Sequence, residues 1–267
     1  MTESDKLPAY LSKQMNMHCL PIFIGKPFVL DGRPPSNPSA TATLVKFKNR
    51  LWVVTCDHVR VTAESNPEWV ASLAAGNVTL ELGCWGEGGW RSALKKVDCF
   101  ESGVDIAIAE IPNHSLETLS RSKPKAPIDL DEFIEPNWAS VKQCIAVGFP
   151  DRMKKSRVET SILESPMVEA VADLCDLPGP SAKYVTLHSE LHRPARFALS
   201  GISGGAIFAI CDDTILPAAI TFEGHPSGPL LDPIASPSWL KPEDLFVRGL
   251  LLRPTYFSDW LAARCQS

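Results

Sequence analysis

The chain has 267 residues, 45% of them apolar, enough to bury a sizeable core as one two-lobed domain or two small ones. Its 26 basic and 31 acidic side chains give a formal charge of −5, which argues against a nucleic-acid-binding surface. No run approaches the roughly 18 uninterrupted apolar residues of a membrane span, and the polar start Met1-Thr-Glu-Ser-Asp-Lys has no apolar stretch behind it, so neither export nor membrane insertion is expected.

In chain order, short β-rich runs alternate with proline-punctuated loops, a pattern that the 23 prolines accentuate. Strands are expected at 42–47 and 51–55, joined through the turn Lys48-Asn49-Arg50. Asn66-Pro67-Glu68 reads as N-cap, first-position proline and first-turn acid, opening a short helix to about residue 75. Further strands are expected at 78–82, 106–111, 141–147, 184–188, 206–210 and 218–222. Phe257, Trp260, Leu261 and Arg264 stand at helical spacing near the end of the chain. Many short strands with few helical periods indicate an antiparallel all-β class. The charged, proline-rich stretch 122–140 is the natural linker between an N-terminal unit (1–121) and a C-terminal unit (141–267).

Three segments carry the chemistry: Thr55-Cys56-Asp57-His58-Val59, Val104-Asp105-Ile106-Ala107-Ile108, and Gly201-Ile202-Ser203-Gly204-Gly205. A hydroxyl becomes a nucleophile when an imidazole takes its proton and an acid holds that imidazole in the right tautomer. Ser203 stands among glycines that permit a tight turn with its backbone N–H groups exposed, although a plain Gly/Ser turn between strands is the ordinary alternative for the pentapeptide alone. Asp105 beside an apolar strand needs a strong partner, which an imidazole N–H would provide. The pentapeptide also satisfies the G-x-S-x-G pattern of α/β-hydrolases. That fold places its acid and histidine after the serine; only 64 residues follow Ser203, with His225 as their sole histidine, and the regular strand–helix alternation of a parallel sheet is missing, so this reading loses.

The order His58, Asp105, Ser203, with T-x-x-H-V and V-D-I-A-I flanking the first two, resembles the trypsin-like (chymotrypsin-fold) serine peptidases of a disulfide-free bacterial type. The resemblance implies two six-stranded antiparallel β-barrels, a short helix after the histidine and a C-terminal helix. It places His58 and Asp105 in the first barrel and Ser203 in the second. The backbone N–H groups of Gly201 and Ser203 would form the oxyanion hole. Residues 143–150 match the opening strand of the second barrel, and residues 218–224 the strand that pairs with substrate backbone. There Thr221 would reach the Asp105 carboxylate and Phe222 would form a pocket wall, with Phe197 near the pocket floor and Ala198 and Glu223 as further substrate-binding residues.

The departures are informative. Ile202 replaces the aspartate that precedes the serine in secreted trypsins, so activation by insertion of a new N-terminus is not expected. Phe197 stands where a trypsin-like preference for Lys or Arg would need an acid, whereas Glu223 narrows or charges the pocket, so primary specificity stays open. The eight cysteines are scattered singly and read as reduced thiols of a cytoplasmic protein.

Other motifs are set aside. His188 and His192 have the i, i+4 spacing of a zinc pair, but in a strand these positions lie about 13 Å apart. The Gly-rich stretch 83–90 reads as a hairpin tip, and the proline-rich stretch 225–242 as an insertion near the pocket. The sequence thus points to a serine endopeptidase acting on polypeptides, without cofactor or metal, nucleic acid or membrane, and regulated through a protein partner. A latent protease-fold binding module is the competing reading.

Overall fold

The computed structural model describes residues 9–23, 39–64, 79–82, 90–93, 95–96, 104–120, 124–150, 153, 155–157, 162–164, 166–192, 199–212, 214–225, 240–241 and 243–264. The expected helix at 66–75, the stretch 83–89, Phe197, Ala198 and residues 226–239 lie outside these.

Among the described residues the strands are β1 (Cys19–Phe23), β2 (Ser39–Phe47), β3 (Arg50–Thr55), β4 (Thr79–Leu82), β5 (Trp90–Ala93), β6 (Lys95–Lys96), β7 (Ala107–Ile111), β8 (Ile128–Asp129), β9 (Gln143–Gly148), β10 (Lys155–Arg157), β11 (Ile162–Glu164), β12 (Val168–Leu174), β13 (Tyr184–Glu190), β14 (Ala206–Cys211), β15 (Thr214–His225) and β16 (Asp244–Leu251). The helices are α1 (Ala9–His18), α2 (Asp57–Glu64), α3 (Ser115–Leu119) and α4 (Pro254–Arg264). No helix among the described residues is long and apolar enough to cross a membrane.

The C-terminal strands close into a six-stranded antiparallel barrel in the order β9-β12-β13-β16-β15-β14. The N-terminal strands run β5-β4-β1-β2-β3-β7-β6. The second expected barrel is therefore not closed among the described residues; its sheet ends on β5 at one side and β6 at the other. The chain between 122 and 140, expected as linker, also contributes β8, which pairs in parallel with β2.

Strand alternation distributes the side chains so that both faces of each sheet are covered. In the N-terminal sheet Ala40, Ala42, Leu44, Leu51, Val53, Ala107 and Ala109 point to one side. Their neighbours Val45, Phe47, Trp52, Val54 and Ile108 point to the other, where they meet Ile145, Val147, Phe208, Ile220 and Leu250 of the C-terminal barrel. The barrel's own interior combines small residues, among them Cys144, Ala146, Ala170, Ala172, Ala209, Ala218 and Ala219, with branched ones such as Leu187, Ile202, Ile207, Val247 and Leu251. Aromatic and branched side chains fill the seam between the sheets, and a mixture of small and branched ones fills the barrel.

Both long terminal helices also pack into the seam. From α1, Leu11 and Met15 enter it; from α4, Phe257, Trp260 and Ala263 do. The α4 face matches the expected helical spacing, with Pro254 at its first position. The ring of Phe257 meets Phe47, Trp52 and Trp260 edge-on, at centroid distances of 5.4, 6.3 and 5.9 Å. Before the helix, buried Arg253 donates to Glu135 and to the carbonyls of Gly179, Pro180 and Ala182, tying two loops to the start of α4.

The hairpin β2–β3 turns through Lys48 and Asn49, both at positive φ, the backbone that suits a two-residue turn between twisted strands. Asp131 accepts hydrogen bonds from both turn amides. The described cysteines 19, 56, 144, 175 and 211 are free thiols, in keeping with the reduced reading, and Cys84, Cys99 and Cys265 lie outside the described residues.

Phe257 is fully buried where helix and both sheets meet, so Phe257→Ala should lower the unfolding free energy by about 3–5 kcal/mol. Urea unfolding followed by tryptophan fluorescence checks this.

Candidate active site

His58 lies in the first turn of α2, not ahead of a helix as the sequence reading had it. Asp57 opens this helix and accepts a hydrogen bond from Arg60 Nε at 2.7 Å, an i, i+3 pair that the sequence reading passed over. The end of β7 explains why the helix starts there. Just before it, Asp105 Oδ1 accepts the backbone N–H of His58 at 2.8 Å, and the carboxylate also accepts from the amide of Asp57. Asp105 therefore satisfies helix-terminal amides that have no partner within the helix.

The same carboxylate holds the imidazole: His58 Nδ1 and Asp105 Oδ2 form a short hydrogen bond. Burial is the largest influence on Asp105 and pushes its carboxyl up. The ring hydrogen bond, the histidine charge and the two amides together outweigh it and hold the carboxyl below the ordinary aspartate value. The side chain of His58 is about half exposed (48%), which leaves its outer edge open to solvent.

Ser203 lies in a turn that precedes β14. Gly201 and Gly204 adopt φ of +97° and +87°, backbone that L side chains rarely take. A Cβ on Gly204 would stand 2.1 Å from the Thr41 carbonyl oxygen and 2.4 Å from Thr55 Oγ1; one on Gly205 would stand 1.8 Å from the Val147 oxygen. The turn is stitched to its surroundings: Ile202 N donates to Leu199 O, Gly205 N to Ile202 O, and Gly204 N to Thr221 O. Ile202 is buried in the apolar interior of the barrel, packed against Gly148.

The structure joins His58 to Asp105 directly and sets the serine turn against Thr55, three residues before His58. No hydrogen bond links His58 to Ser203. The expected bond from Thr221 to Asp105 is absent as well. Thr221 Oγ1 is buried without a partner among the described residues, and the Asp105 carboxylate accepts instead from His58 and the α2 amides. The backbone of Thr221 is instead built into the sheet: its N–H donates to Gly205 O, while its carbonyl accepts Gly204 N and Cys56 Sγ.

Beyond Thr221, β15 extends through Phe222, Glu223, Gly224 and His225, whereas its pairing with β14 begins only at Ile220↔Ala206. The register with β16 slips between Thr221 and Glu223, leaving Phe222 as the bulged residue. Glu223 does not present a lone charge. Arg248 Nη1 donates to it at 3.3 Å, and that guanidinium lies over the rings of both Tyr184 and Phe222. His188, declined as a zinc ligand, pairs with Asp244 on β16.

The donor atoms of Cys56, His58 and Asp105 lie within 4.8 Å of one another, a set that could in principle ligate a divalent ion. The thiol, however, is fully buried and donates to Thr221 O. Burial, together with the negative charges of Asp105 and Asp57, pushes it well above the usual thiol range. A metal would need the thiolate, so these surroundings oppose one.

Sequence reasoning missed Thr41, Thr43 and Thr55, which form most of the serine turn's contacts with the N-terminal sheet. Their signal was the polar alternation Ser39-Ala-Thr-Ala-Thr43 inside a strand otherwise apolar on both faces.

No family model matches the sequence, and no curated protein matches it. Among solved structures the chain is similar to a thermostable serine protease, AL20, from an extremophilic microorganism, at 13% identity and a TM-score of 0.47, over 96% of this chain and all of that one. It is likewise similar to the protease Anisep from Arthrobacter nicotinovorans, at 17% identity and a TM-score of 0.48, over 93% of this chain and 96% of that one. Likeness at this level carries no argument about chemistry, which rests on the residues themselves.

Two outcomes follow from this geometry. Gly204→Ala combines a strained φ with overlap against fixed backbone and should cost roughly 3 kcal/mol in urea unfolding. Asp105 is held below its ordinary value, so its stabilising effect is complete above the unfolded pKa of about 4 and is lost as pH falls through the lower folded value. The stability gap between wild type and Asp105→Asn should therefore be full at pH 7 and shrink on acidification below about pH 4, as read by unfolding at both ends of that range.

Proposed function

We propose that the protein is a serine endopeptidase of the chymotrypsin type, with His58, Asp105 and Ser203 as its catalytic triad. The observation that carries this reading is the His58–Asp105 pair, with Nδ1 held by a carboxylate that is itself fixed by backbone amides, next to a glycine-strained serine turn docked three residues upstream of the histidine. An imidazole bound in this way keeps its proton on Nδ1 and offers Nε2 as a base.

In the mechanism, His58 Nε2 takes the Ser203 proton as the hydroxyl oxygen attacks a peptide carbonyl carbon. The N–H groups of Gly201 and Ser203 receive the oxyanion, and Asp105 stabilises the imidazolium that forms. The tetrahedral intermediate collapses as His58 gives its proton to the leaving amine. Water then repeats the sequence, with His58 as base, to release the acyl group. Closure of the Ser203–His58 hydrogen bond belongs to the substrate complex, since catalytic hydrogen bonds in unliganded sites are often long.

Polypeptide substrate adds as an extended strand along the edge of β15 from Phe222 to His225, gaining backbone hydrogen bonds there. Phe222 and Glu223, with Phe197 and Ala198, complete its side-chain contacts. The N-terminal sheet is taken as a second barrel, closed through residues 90–96, because the first half of that stretch pairs with β4 and the second with β7. In domain terms, residues 1–121 carry His58 and Asp105, 122–140 connect, and 141–267 carry Ser203. The protein works in the cytoplasm, with a regulatory protein partner restraining or triggering it.

Reaction with a fluorophosphonate probe tests the assignment. Wild type should be labelled on Ser203, and Ser203→Ala and His58→Ala should each lose labelling by a factor of about a thousand or more while remaining folded. Folded wild type that never labels, alone or with substrate peptide present, contradicts the reading.

A further inference from the structure

The serine turn needs an external restraint, since two of its residues are glycines at positive φ, the most freely rotating backbone available. Ile202, the residue before the serine, is buried in the apolar interior of the barrel, and its side chain offers only apolar anchorage. The directional contacts come instead from the opposite sheet, and one residue makes most of them.

We propose that Thr41, on β2, is the positioning residue for the nucleophile turn, holding the carbonyls of both residues that supply oxyanion donors. The catalytic consequence rests on the serine-peptidase reading. Thr41 is fully buried, and every polar atom it has is engaged. Its N–H donates to Ser203 O at 3.1 Å, and its hydroxyl donates to Gly201 O at 2.8 Å. The hydroxyl oxygen accepts Phe149 N at 2.8 Å, and the Thr41 carbonyl accepts Thr55 Oγ1 at 2.8 Å.

Each tie to the turn acts one peptide beyond an oxyanion donor, on the residue that carries that donor. The carbonyl of Gly201 belongs to the peptide just after the first donor, and that of Ser203 to the peptide just after the second. Pinning both holds Gly201 and Ser203 in place and limits how far the turn that carries the two N–H groups can shift. Thr43 adds a third tie, from its hydroxyl to Gly204 O at 2.8 Å. All three ties come from one strand of the N-terminal sheet, so the oxyanion geometry of a serine in the C-terminal barrel is set across the seam. Docking of the two sheets thereby restrains the turn through the hydroxyl and amide donors of β2.

Loss of the Thr41 hydroxyl leaves Gly201 O and Phe149 N buried without a partner and frees the turn to rotate. Serine can make the same two bonds; valine keeps the shape and makes neither. The test compares wild type, Thr41→Val and Thr41→Ser by amide hydrogen exchange with mass spectrometry and by the rate of fluorophosphonate labelling. In Thr41→Val the peptide spanning 199–205 should exchange at least tenfold faster while the peptides of β12, β13 and β16 keep wild-type protection. Labelling should slow by about ten- to a hundred-fold, less than the loss expected for outright removal of an oxyanion donor. Thr41→Ser should stay within a few-fold of wild type in both readouts.

Unchanged exchange of 199–205 in Thr41→Val overturns the proposal. So does faster exchange spread evenly over the whole barrel, faster exchange of the turn with an unchanged labelling rate, or a Thr41→Ser protein as impaired as Thr41→Val. If Thr41→Val does not fold, Thr41→Ala removes the hydroxyl without a branched side chain and is read in the same way. If wild type is not labelled at all, the peptidase reading fails, and the exchange data still decide whether Thr41 holds the turn.

Discussion

The seam between the two sheets is the constraint on which the rest of the structure depends. The two sheets meet there through large side chains from both, and α1 and α4 add Met15, Phe257 and Trp260 to the same apolar layer. Apolar contact of this kind is strong but has no preferred direction. It brings the two halves of the site into register without orienting any one peptide within it. That task falls to the polar end of the layer, where β2 exchanges Val45 and Phe47 for Thr43 and Thr41 on the same face. Apolar burial supplies the adhesion, and a few fully used hydroxyls supply the direction.

Asp105 shows the same division of labour on the histidine side. Its carboxylate accepts two amides at the start of α2 as well as the His58 ring, so one side chain sets where the helix begins and how the imidazole is turned. A carboxylate this well supplied with donors stays ionised despite partial burial, which is the state that orients an imidazole. The helix and the base cannot be separated: shifting α2 by a residue would remove the amides from Asp105 along with the ring. Thr221 Oγ1 stands buried and unpartnered nearby, a cost of the size of one lost hydrogen bond that the surrounding sheet absorbs.

The barrel side is built for rigidity by different means. Its interior interleaves alanines with Val, Leu and Ile side chains, so that strands from distant parts of the chain close around a filled core. Ile202 reaches into that interior from the serine turn, so the base of the turn is anchored by burial while its rim is held by hydrogen bonds. On the outer face, Arg248 lies over Tyr184 and Phe222 and balances Glu223, joining the end of β15 to its neighbour through a cation stacked on two rings.

Much of this was legible in the chain itself. Period-two alternation and turn residues located the hairpin β2–β3, the strands around Asp105 and Ser203 and the buried face of α4, because these depend on local propensity and on which side of a strand is apolar. The glycines of 201–205 marked a turn that only glycine can make, and the His-Asp-Ser order pointed to the pairing of His58 with Asp105. Short or mixed strands such as β1, β12 and β16 escaped notice, since their edges are defined by partners far away in sequence. The helix α2 at 57–64 escaped notice as well, because the group that receives its first amides is Asp105, 47 residues downstream. The partners of Thr221 and Glu223, and the convergence of Thr41, Thr43 and Thr55 on the serine turn, belong to the tertiary structure alone. Residue type and spacing determine which groups are capable of the chemistry; a hydrogen bond spanning 160 residues, such as that from Thr41 to Gly201, exists only once burial has brought the two sheets together.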